Sequence, residues 1–251
     1  ELIPYSLVQL ARTVPAYARL VSFADQFARY SSDNSALLVI EFSGADRQAL
    51  RQQAQALGEG VWLAETSEVQ KSVWAIRKVG LGILMSRLGA AKPVAFIEDI
   101  AVPVERLGEF VRSVETLLAE VGAKSEIYAH ASAGCLHIRP ILNLKTAQGV
   151  GALRQIASQV ISLALSLGGA VSGEHGDGLA RSEWIAQAYG TQITAAFAQL
   201  KQAADPENLL NPGKIVNPSP MDTQLRYGAH YAAAAWQPFF GSQGKPASQE
   251  D

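Results

Sequence analysis

The sequence predicts an α+β fold in which helices cover one face of an antiparallel sheet. Two observations lead to this prediction: helical apolar stripes alternate with short strand-like runs, and in the centre of the chain these elements follow the order β-α-β-β-α-β. That order is typical of a ferredoxin-like sheet. Because 48% of the 251 residues are apolar and 18% are charged, the chain is long and apolar enough to bury a sizeable core.

The first part of the chain predicts helices around two short strands. The run Leu-Leu-Val-Ile-Glu-Phe is typical of a strand and ends at Ser43, and Thr66 is suited to cap a helix. The predicted elements are helix 1–34, strand 37–42, helix 47–57, strand 61–63 and a helix from Thr66 through Arg77. The strand–helix–strand order at 37–64 is compatible with a second, duplicated unit.

The centre of the chain has the clearest periodicity. Apolar residues recur at steps of three and four from Leu107 to Val121, which predicts an amphipathic helix that Pro103 opens and Gly122 ends. The predicted elements are strand 94–100, helix 103–121, strands 125–130 and 135–142, helix 153–167, strand 170–172 and helices 184–190 and 191–204. The predicted regions are a helical connector (1–34), an α+β domain (35–216) and an irregular tail (217–251).

Composition excludes several kinds of site. A single cysteine, Cys135, allows neither a disulfide framework nor a cysteine-only metal site within this chain, and it is typical of a reducing compartment. The net charge of −2 gives no indication of nucleic-acid binding. No apolar run reaches the roughly 20 residues that span a bilayer. We therefore expect a neutral, soluble domain.

Three of the four histidines lie in two short segments that contain glycine. His130 and His137 flank the turn of a predicted hairpin, in which facing side chains on neighbouring strands lie about 5 Å apart. That separation suits two imidazoles that share one metal ion. Glu174 follows the last predicted strand of the same sheet and is the natural third ligand. His175 beside it is then free to act as a base.

The same residues allow other interpretations. Histidines are also common as hydrogen-bonded structural residues, and Gly173, Gly176 and Gly178 are typical of a tight turn. Arg77 and Lys92 suit the binding of a substrate carboxylate, but they are equally compatible with surface charges. A metal-dependent hydrolase and a non-catalytic binding or assembly module therefore stay open as alternative functions.

Several motifs, in a fixed order, resemble the C-terminal domain of FAD-linked oxidases, a family that includes D-lactate dehydrogenase, glycolate oxidase and D-2-hydroxyglutarate dehydrogenase. They are Trp74–Lys78, Phe96–Pro103, the histidine hairpin, the glycine block 172–178 (Ser-Gly-Glu-His-Gly-Asp-Gly) and Asn211–Lys214. The resemblance extends from about Leu37 to Val216. It implies a 2-hydroxy acid substrate, a divalent metal with zinc as the first choice, and FAD bound mainly by an N-terminal domain outside this chain.

The resemblance also implies roles for individual residues. These are metal binding by His130, His137 and Glu174, proton removal by His175, substrate binding by Arg77 and Lys92, and a cofactor contact from Asn211. The hairpin departs from the family pattern, because Arg139 stands where another polar residue is usual. This extra cation suits a substrate with a second carboxylate, or pairs with an acidic neighbour.

The two ends of the chain bear on the predicted electron acceptor and on the part of the protein that this chain represents. The segment 225–239 is similar to a longer subgroup of the family in which iron–sulfur segments follow, which implies an iron–sulfur electron acceptor. The resemblance is compatible with a location in the cytoplasm or at the periphery of the inner membrane. Because the chain begins at Glu1 without methionine, we expect a piece of a longer protein. The resemblance implies that this piece is the substrate-binding half of a flavin-dependent dehydrogenase, inactive without its FAD domain.

Overall fold

The computed structural model of the protein describes residues 1–30 and 35–232. It contains helices and antiparallel strand pairs, which confirms the predicted α+β class. The chain divides into two compact units, Glu1–Arg87 with Glu126–Ala129, and Leu88–Ser125 with His130–Asp251. Within the described residues, no helix combines the length and apolar character needed to cross a membrane.

The first unit is mainly helical. Its elements in chain order are β1 (Leu2–Pro4), α1 (Tyr5–Thr13), α2 (Pro15–Ala18), a 3₁₀ helix (Arg19–Tyr30), β2 (Ala36–Leu38), α3 (Arg47–Gln55) and α4 (Ser67–Met85). β1 pairs antiparallel with β2, and Leu2 lies opposite Ala129. The core forms where α1 packs against α4, with Val8 and Ile76 almost fully buried. Thr66 caps α4 as predicted, because its hydroxyl accepts the Val69 N–H at 3.4 Å.

The second unit carries the predicted hairpin and glycine block. Its elements are β3 (Lys92–Pro93), β4 (Ile100–Ala101), α5 (Leu107–Glu120), the end residues of β5 (Ser125–His130), β6 (Cys135–Leu142), α6 (Ala147–Ser166), α7 (Gly178–Arg181) and α8 (Ile185–Ala204). β6 pairs antiparallel with both β3 and β4. α5 and α6 pack against each other, and α6 contacts β4 and β6. The predicted stripe of α5 is buried at Phe110, Val114 and Leu118.

Some helix ends differ from the prediction. α6 begins six residues before the predicted start at 153, because the Thr146 hydroxyl caps it by accepting the Gly149 N–H at 3.0 Å. By contrast, the boundary predicted between helices 184–190 and 191–204 is confirmed, because α8 breaks at the non-helical residue Gly190 (φ 78°). The first residues, predicted as helix, include β1, which finds a ladder partner in β2.

Four predicted strands are shorter or absent. β2 ends at Leu38 instead of 42, because its partner β1 offers only three residues for pairing. Residues 61–63 form no ladder, and the predicted strand 170–172 is reduced to an isolated bridge between Ala170 and Ala101. Of the predicted strand 94–100, only Ile100 belongs to a strand, β4. Asp99 interrupts this last strand with a left-handed backbone (φ 81°). The predicted turn at 31–34 and the tail from 233 onward lie outside the described residues.

We expect Gly134→Ala, in the hairpin turn, to destabilise the fold strongly. Gly134 has φ 66°, and a Cβ atom there would lie 1.9 Å from the carbonyl oxygen of Val102. A left-handed non-glycine residue together with this clash is expected to cost at least about 3 kcal/mol, which lowers the thermal midpoint by roughly 6–12 °C. Differential scanning calorimetry measures this shift.

The matched control for this prediction is Gly151→Ala in α6. Gly151 lies on a helix with open space around its Cβ position, so alanine is expected to raise the stability by up to about 1 kcal/mol. Opposite signs for the two substitutions are therefore expected. An unchanged midpoint for Gly134→Ala would contradict the close approach between the turn and Val102.

Candidate functional site

The hairpin brings two histidines together. His130 is the last residue of β5 and His137 is the third residue of β6. A single 3₁₀ turn, Ala131–Ala133, and Gly134 connect the two strands. The centroids of the imidazole rings lie 5.1 Å apart and the ring planes are nearly perpendicular. The two rings therefore lie next to each other in an edge-to-face arrangement.

A ladder through β4 brings the glycine block to these histidines. The Asp99 N–H donates to the carbonyl of Leu136 in β6 at 2.8 Å, and the Gly173 N–H donates to the carbonyl of Asp99 at 2.7 Å. Ala101 and Ala170 exchange two further backbone hydrogen bonds. The glycine block therefore lies on one side of β4 and the histidine strand β6 on the other. Gly173 suits this position, because a Cβ atom there would lie 3.2 Å from both Ala101 Cβ and Cys135 Sγ.

Three imidazoles surround one carboxylate oxygen. Glu174 Oε1 lies 3.4 Å from His130 Nε2, 3.1 Å from His137 Nε2 and 3.3 Å from His175 Nε2. The His137 side chain is only 2% exposed, whereas those of Glu174 and His175 are 43% and 46% exposed. The cluster thus has a buried side at His137 and a side open to solvent, where a small molecule has access.

A second carboxylate lies on the buried side. Glu98 Oε1 is 3.8 Å from His137 Nδ1 and 3.9 Å from His175 Nδ1, so the two imidazoles, which stack with centroids 5.2 Å apart, lie between Glu98 and Glu174. The other oxygen of Glu98 pairs with Arg139 Nη2, and both of these side chains are buried. Glu98 therefore faces the histidines as one half of an ion pair.

Asp99 anchors the glycine block. Its carboxylate accepts hydrogen bonds from the backbone N–H groups of Glu174 (2.9 Å) and His175 (2.8 Å), and from the Ser172 hydroxyl. Burial by itself raises the pKa of the Asp99 carboxyl. The hydrogen bonds from Ser172, His175 and Glu174, with a smaller contribution from the charge on His175, outweigh burial and leave that pKa below its usual value. The loop thus closes around a carboxylate that stays ionised.

The geometry offers three overlapping ligand sets for a metal ion. Among the described residues, the sets His130–His137–Glu174, Glu98–His137–His175 and Asp99–Glu174–His175 each have ligand atoms within 4.8 Å of one another. Glu98 and Asp99 already pair with Arg139 and with the loop backbone, respectively. In the set His130–His137–Glu174, the only carboxylate is that of Glu174, which is partly exposed. Within the part of the chain that the structure describes, Glu174 has no ion pair with a lysine or an arginine.

A family model for the C-terminal domain of FAD-linked oxidases matches residues 10–215. The chain belongs to this family. The match covers the hairpin and the glycine block, so the cluster described above lies inside the FAD-linked oxidase C-terminal domain.

Curated relatives of this FAD-linked oxidase domain include several dehydrogenases. A D-2-hydroxyglutarate dehydrogenase of Escherichia coli is 33% identical over 204 residues (75% of this chain and 20% of the relative), and one of Pseudomonas putida is 38% identical over 159 residues (63% and 16%). A D-lactate dehydrogenase of Archaeoglobus fulgidus is 31% identical over 188 residues (74% and 40%). The chain thus spans about a fifth of the length of the D-2-hydroxyglutarate dehydrogenases that it matches.

The other predicted site residues of the FAD-linked oxidase domain lie in different places. Arg77 belongs to the first unit, where it pairs with Glu1 and lies over the Tyr128 ring, with 4.7 Å from Cζ to the ring centroid. Lys92 lies in β3 of the second unit, opposite Leu142. Their substrate contacts stay predictions.

Asn211 and Arg139 have contrasting environments in the second unit. Asn211 is exposed in the segment after α8 and has a left-handed backbone (φ 51°). Arg139 is buried against Glu98, which is the second of the two roles that its position suggested. The cofactor contact of Asn211 and a substrate contact of Arg139 stay predictions.

Sequence reasoning missed three residues that hold the site: Glu98, Asp99 and Arg181. The first two carried a usable signal, because two adjacent acids at the end of an apolar run point to opposite sides of an extended chain, and one of them must then face the interior. Arg181 carried none. It ends a helix of only four residues (Gly-Leu-Ala-Arg), and only its tertiary contacts show that it is 9% exposed.

Proposed function

We propose that this chain is the substrate-binding half of an FAD-dependent dehydrogenase that oxidises a 2-hydroxy acid to the 2-oxo acid. The observation that carries the proposal is the convergence of His130 Nε2 and His137 Nε2 on Glu174 Oε1, at 3.4 and 3.1 Å. Membership in the FAD-linked oxidases supports FAD as the cofactor. A separate FAD domain is the partner that this proposal requires.

The donor set fits a divalent metal, with zinc as the first choice. Two imidazole nitrogens and one carboxylate oxygen are a frequent zinc set that leaves coordination positions open. His137 Nδ1 lies 3.8 Å from Glu98 Oε1, so a carboxylate is close to the ring nitrogen that faces away from Glu174. A divalent metal, when bound there, acidifies and orients the substrate hydroxyl.

His175 is the proposed base. Its side chain is exposed, and its Nε2 faces the Glu174 carboxylate, so the hydroxyl proton of a substrate in the cluster is within its reach. His175 takes this proton at Nε2. FAD, when bound, supplies the acceptor for the α-hydrogen and its electron pair. The loss of one proton and one hydride converts the 2-hydroxy acid into the 2-oxo acid.

Cationic side chains are proposed to bind the substrate carboxylates. Arg77 and Lys92 are candidates for the carboxylate next to the hydroxyl, and Arg139 for a second carboxylate. The D-2-hydroxyglutarate dehydrogenases among the relatives support a substrate with two carboxylates. Contact between Asn211 and FAD, an iron–sulfur electron acceptor and a location in the cytoplasm or at the inner membrane complete the proposal.

Cobalt binding tests the proposal on the chain itself. Co²⁺ replaces zinc in such sites and gives a visible spectrum that depends on its ligands. We expect one Co²⁺ per chain and a spectral change when 2-hydroxyglutarate or lactate is added, because the hydroxyl enters an open coordination position.

Glutarate and propionate, which lack the hydroxyl, are the matched controls and are expected to cause a much smaller spectral change. A chain that binds no Co²⁺, or a spectrum that 2-hydroxy acids leave unchanged, would overturn the proposed function.

A further inference from the structure

Asp99 occupies an unusual position immediately before β4. It is fully buried and its backbone is left-handed, with φ 81°. A non-glycine residue in this conformation costs on the order of 1 kcal/mol or more and persists only where its surroundings hold it in place. The proposed function assigns Asp99 no role.

The contacts of Asp99 are concentrated on the glycine block. Oδ1 accepts the Glu174 N–H at 2.9 Å, and Oδ2 accepts the His175 N–H at 2.8 Å and the Ser172 hydroxyl. The Asp99 carbonyl also accepts the Gly173 N–H at 2.7 Å. One residue thus binds four consecutive positions of the block, including the proposed ligand and the proposed base.

Arg181 connects the glycine block to Glu98 by donating hydrogen bonds to one backbone carbonyl in each. Its Nε donates to the Gly176 carbonyl at 3.1 Å, and its Nη1 donates to the Glu98 carbonyl at 2.9 Å. Asp99 therefore accepts from the N–H groups at the start of the block, while Arg181 donates to a carbonyl at its end. Both residues connect the block to the chain segment at Glu98 and Asp99.

We infer that Asp99 is the positioning residue of this site: its carboxylate orients Glu174 and His175 toward the histidine hairpin, and Arg181 supports the far end of the block. This inference rests on the proposed function for the roles of Glu174 and His175. The Asp99 carboxylate contacts the loop and the Cys135 thiol, whose Sγ donates to Oδ1 at 3.5 Å. Asp99 therefore acts through the two residues that it orients.

The substitution Asp99→Asn tests the contribution of the Asp99 carboxylate alone. Asparagine has the same shape and accepts a left-handed backbone about as well as aspartate, but its side chain offers one acceptor oxygen instead of two. One side-chain position therefore faces the donor at Glu174 or His175 with an N–H group. We expect the glycine block to loosen while the rest of the unit stays folded.

Two measurements on the full chain test this inference. In metal-free protein, we expect hydrogen exchange at the Glu174 and His175 amides to accelerate by about tenfold or more, the effect of losing roughly 1.4 kcal/mol of protection. The affinity for Co²⁺ is expected to fall by about 10–100-fold, with a changed visible spectrum. Ser172→Ala, which keeps the carboxylate, is expected to give a smaller loss of Co²⁺ affinity.

Asp205→Asn is the matched control. Asp205 is also buried and accepts two backbone N–H groups, those of Leu209 and Leu210, both at 2.9 Å. We expect this variant to accelerate exchange at Leu209 and Leu210 and to leave the Co²⁺ spectrum unchanged.

The outcomes separate this inference from the proposed function. Unchanged exchange at Glu174 and His175 in Asp99→Asn, or faster exchange with unchanged Co²⁺ affinity and spectrum, overturns the positioning role. If Asp99→Asn does not fold, a Ser172→Ala variant with wild-type Co²⁺ affinity and spectrum also overturns it. If the wild-type chain binds no Co²⁺, the proposed metal site fails, and the exchange measurement on metal-free protein alone then decides whether Asp99 orders Glu174 and His175.

Discussion

His137→Ala is expected to reduce the affinity of the chain for Zn²⁺ or Co²⁺ by at least about 100-fold, because loss of a partner that merely orients a ligand already costs 10–100-fold. His137 is the most buried member of the cluster, and its Nε2 makes the shortest contact with Glu174 Oε1, at 3.1 Å. Isothermal titration calorimetry with a competing chelator measures the change.

His230→Ala is the matched control for this prediction. His230 is the fourth histidine, lies in the described part of the chain and is exposed, so its removal is expected to leave the affinity unchanged. Wild-type affinity in His137→Ala would contradict the proposed ligand set, and a comparable loss in both variants would indicate nonspecific binding by histidine.

His175→Ala is expected to reduce the turnover of 2-hydroxy acids by about 10²–10⁴-fold, the usual contribution of a positioned general base. The metal affinity of this variant is expected to stay within a few-fold of wild type, because the base is not a ligand in the proposed set. Turnover is measured with the FAD domain present, and metal affinity is measured on the chain alone.

The metal measurement distinguishes between the ligand sets that the geometry offers. His175 also belongs to the set Glu98–His137–His175. If His175→Ala loses metal affinity as strongly as His137→Ala while His130→Ala retains it, then this second set holds the metal. His175 would then be a ligand, and the base would have to be sought elsewhere.

Local patterns predicted most of the fold. The stripe of α5, the β5–β6 hairpin and the junction of α8 at Gly190 depend on residues close in sequence, so that periodicity and glycine positions were sufficient. The approach of Glu174 to the histidine pair also followed from the expectation that the hairpin and the last strand share a sheet. The roles of these residues stay predictions.

Other features that depend on distant residues were not predicted. The predicted strand 94–100 breaks at Asp99 because hydrogen bonds to residues more than 70 positions later stabilise its left-handed backbone. β2 is short because pairing, not the apolar run itself, sets strand length. The sequence around Asp99 does not identify residues 172–175 as its partners, and the sequence around β2 does not identify β1.

The position of β4 between β6 and the glycine block has a consequence for the entropy of binding. Backbone ladders on both sides of β4 fix the spacing between the histidines on one side and Glu174 on the other. The segment that carries Glu174 is therefore ordered before any ligand arrives, and its backbone has little conformational freedom left to lose. Preorganisation of this kind lowers the entropic cost of association, so more of the coordination energy remains as affinity.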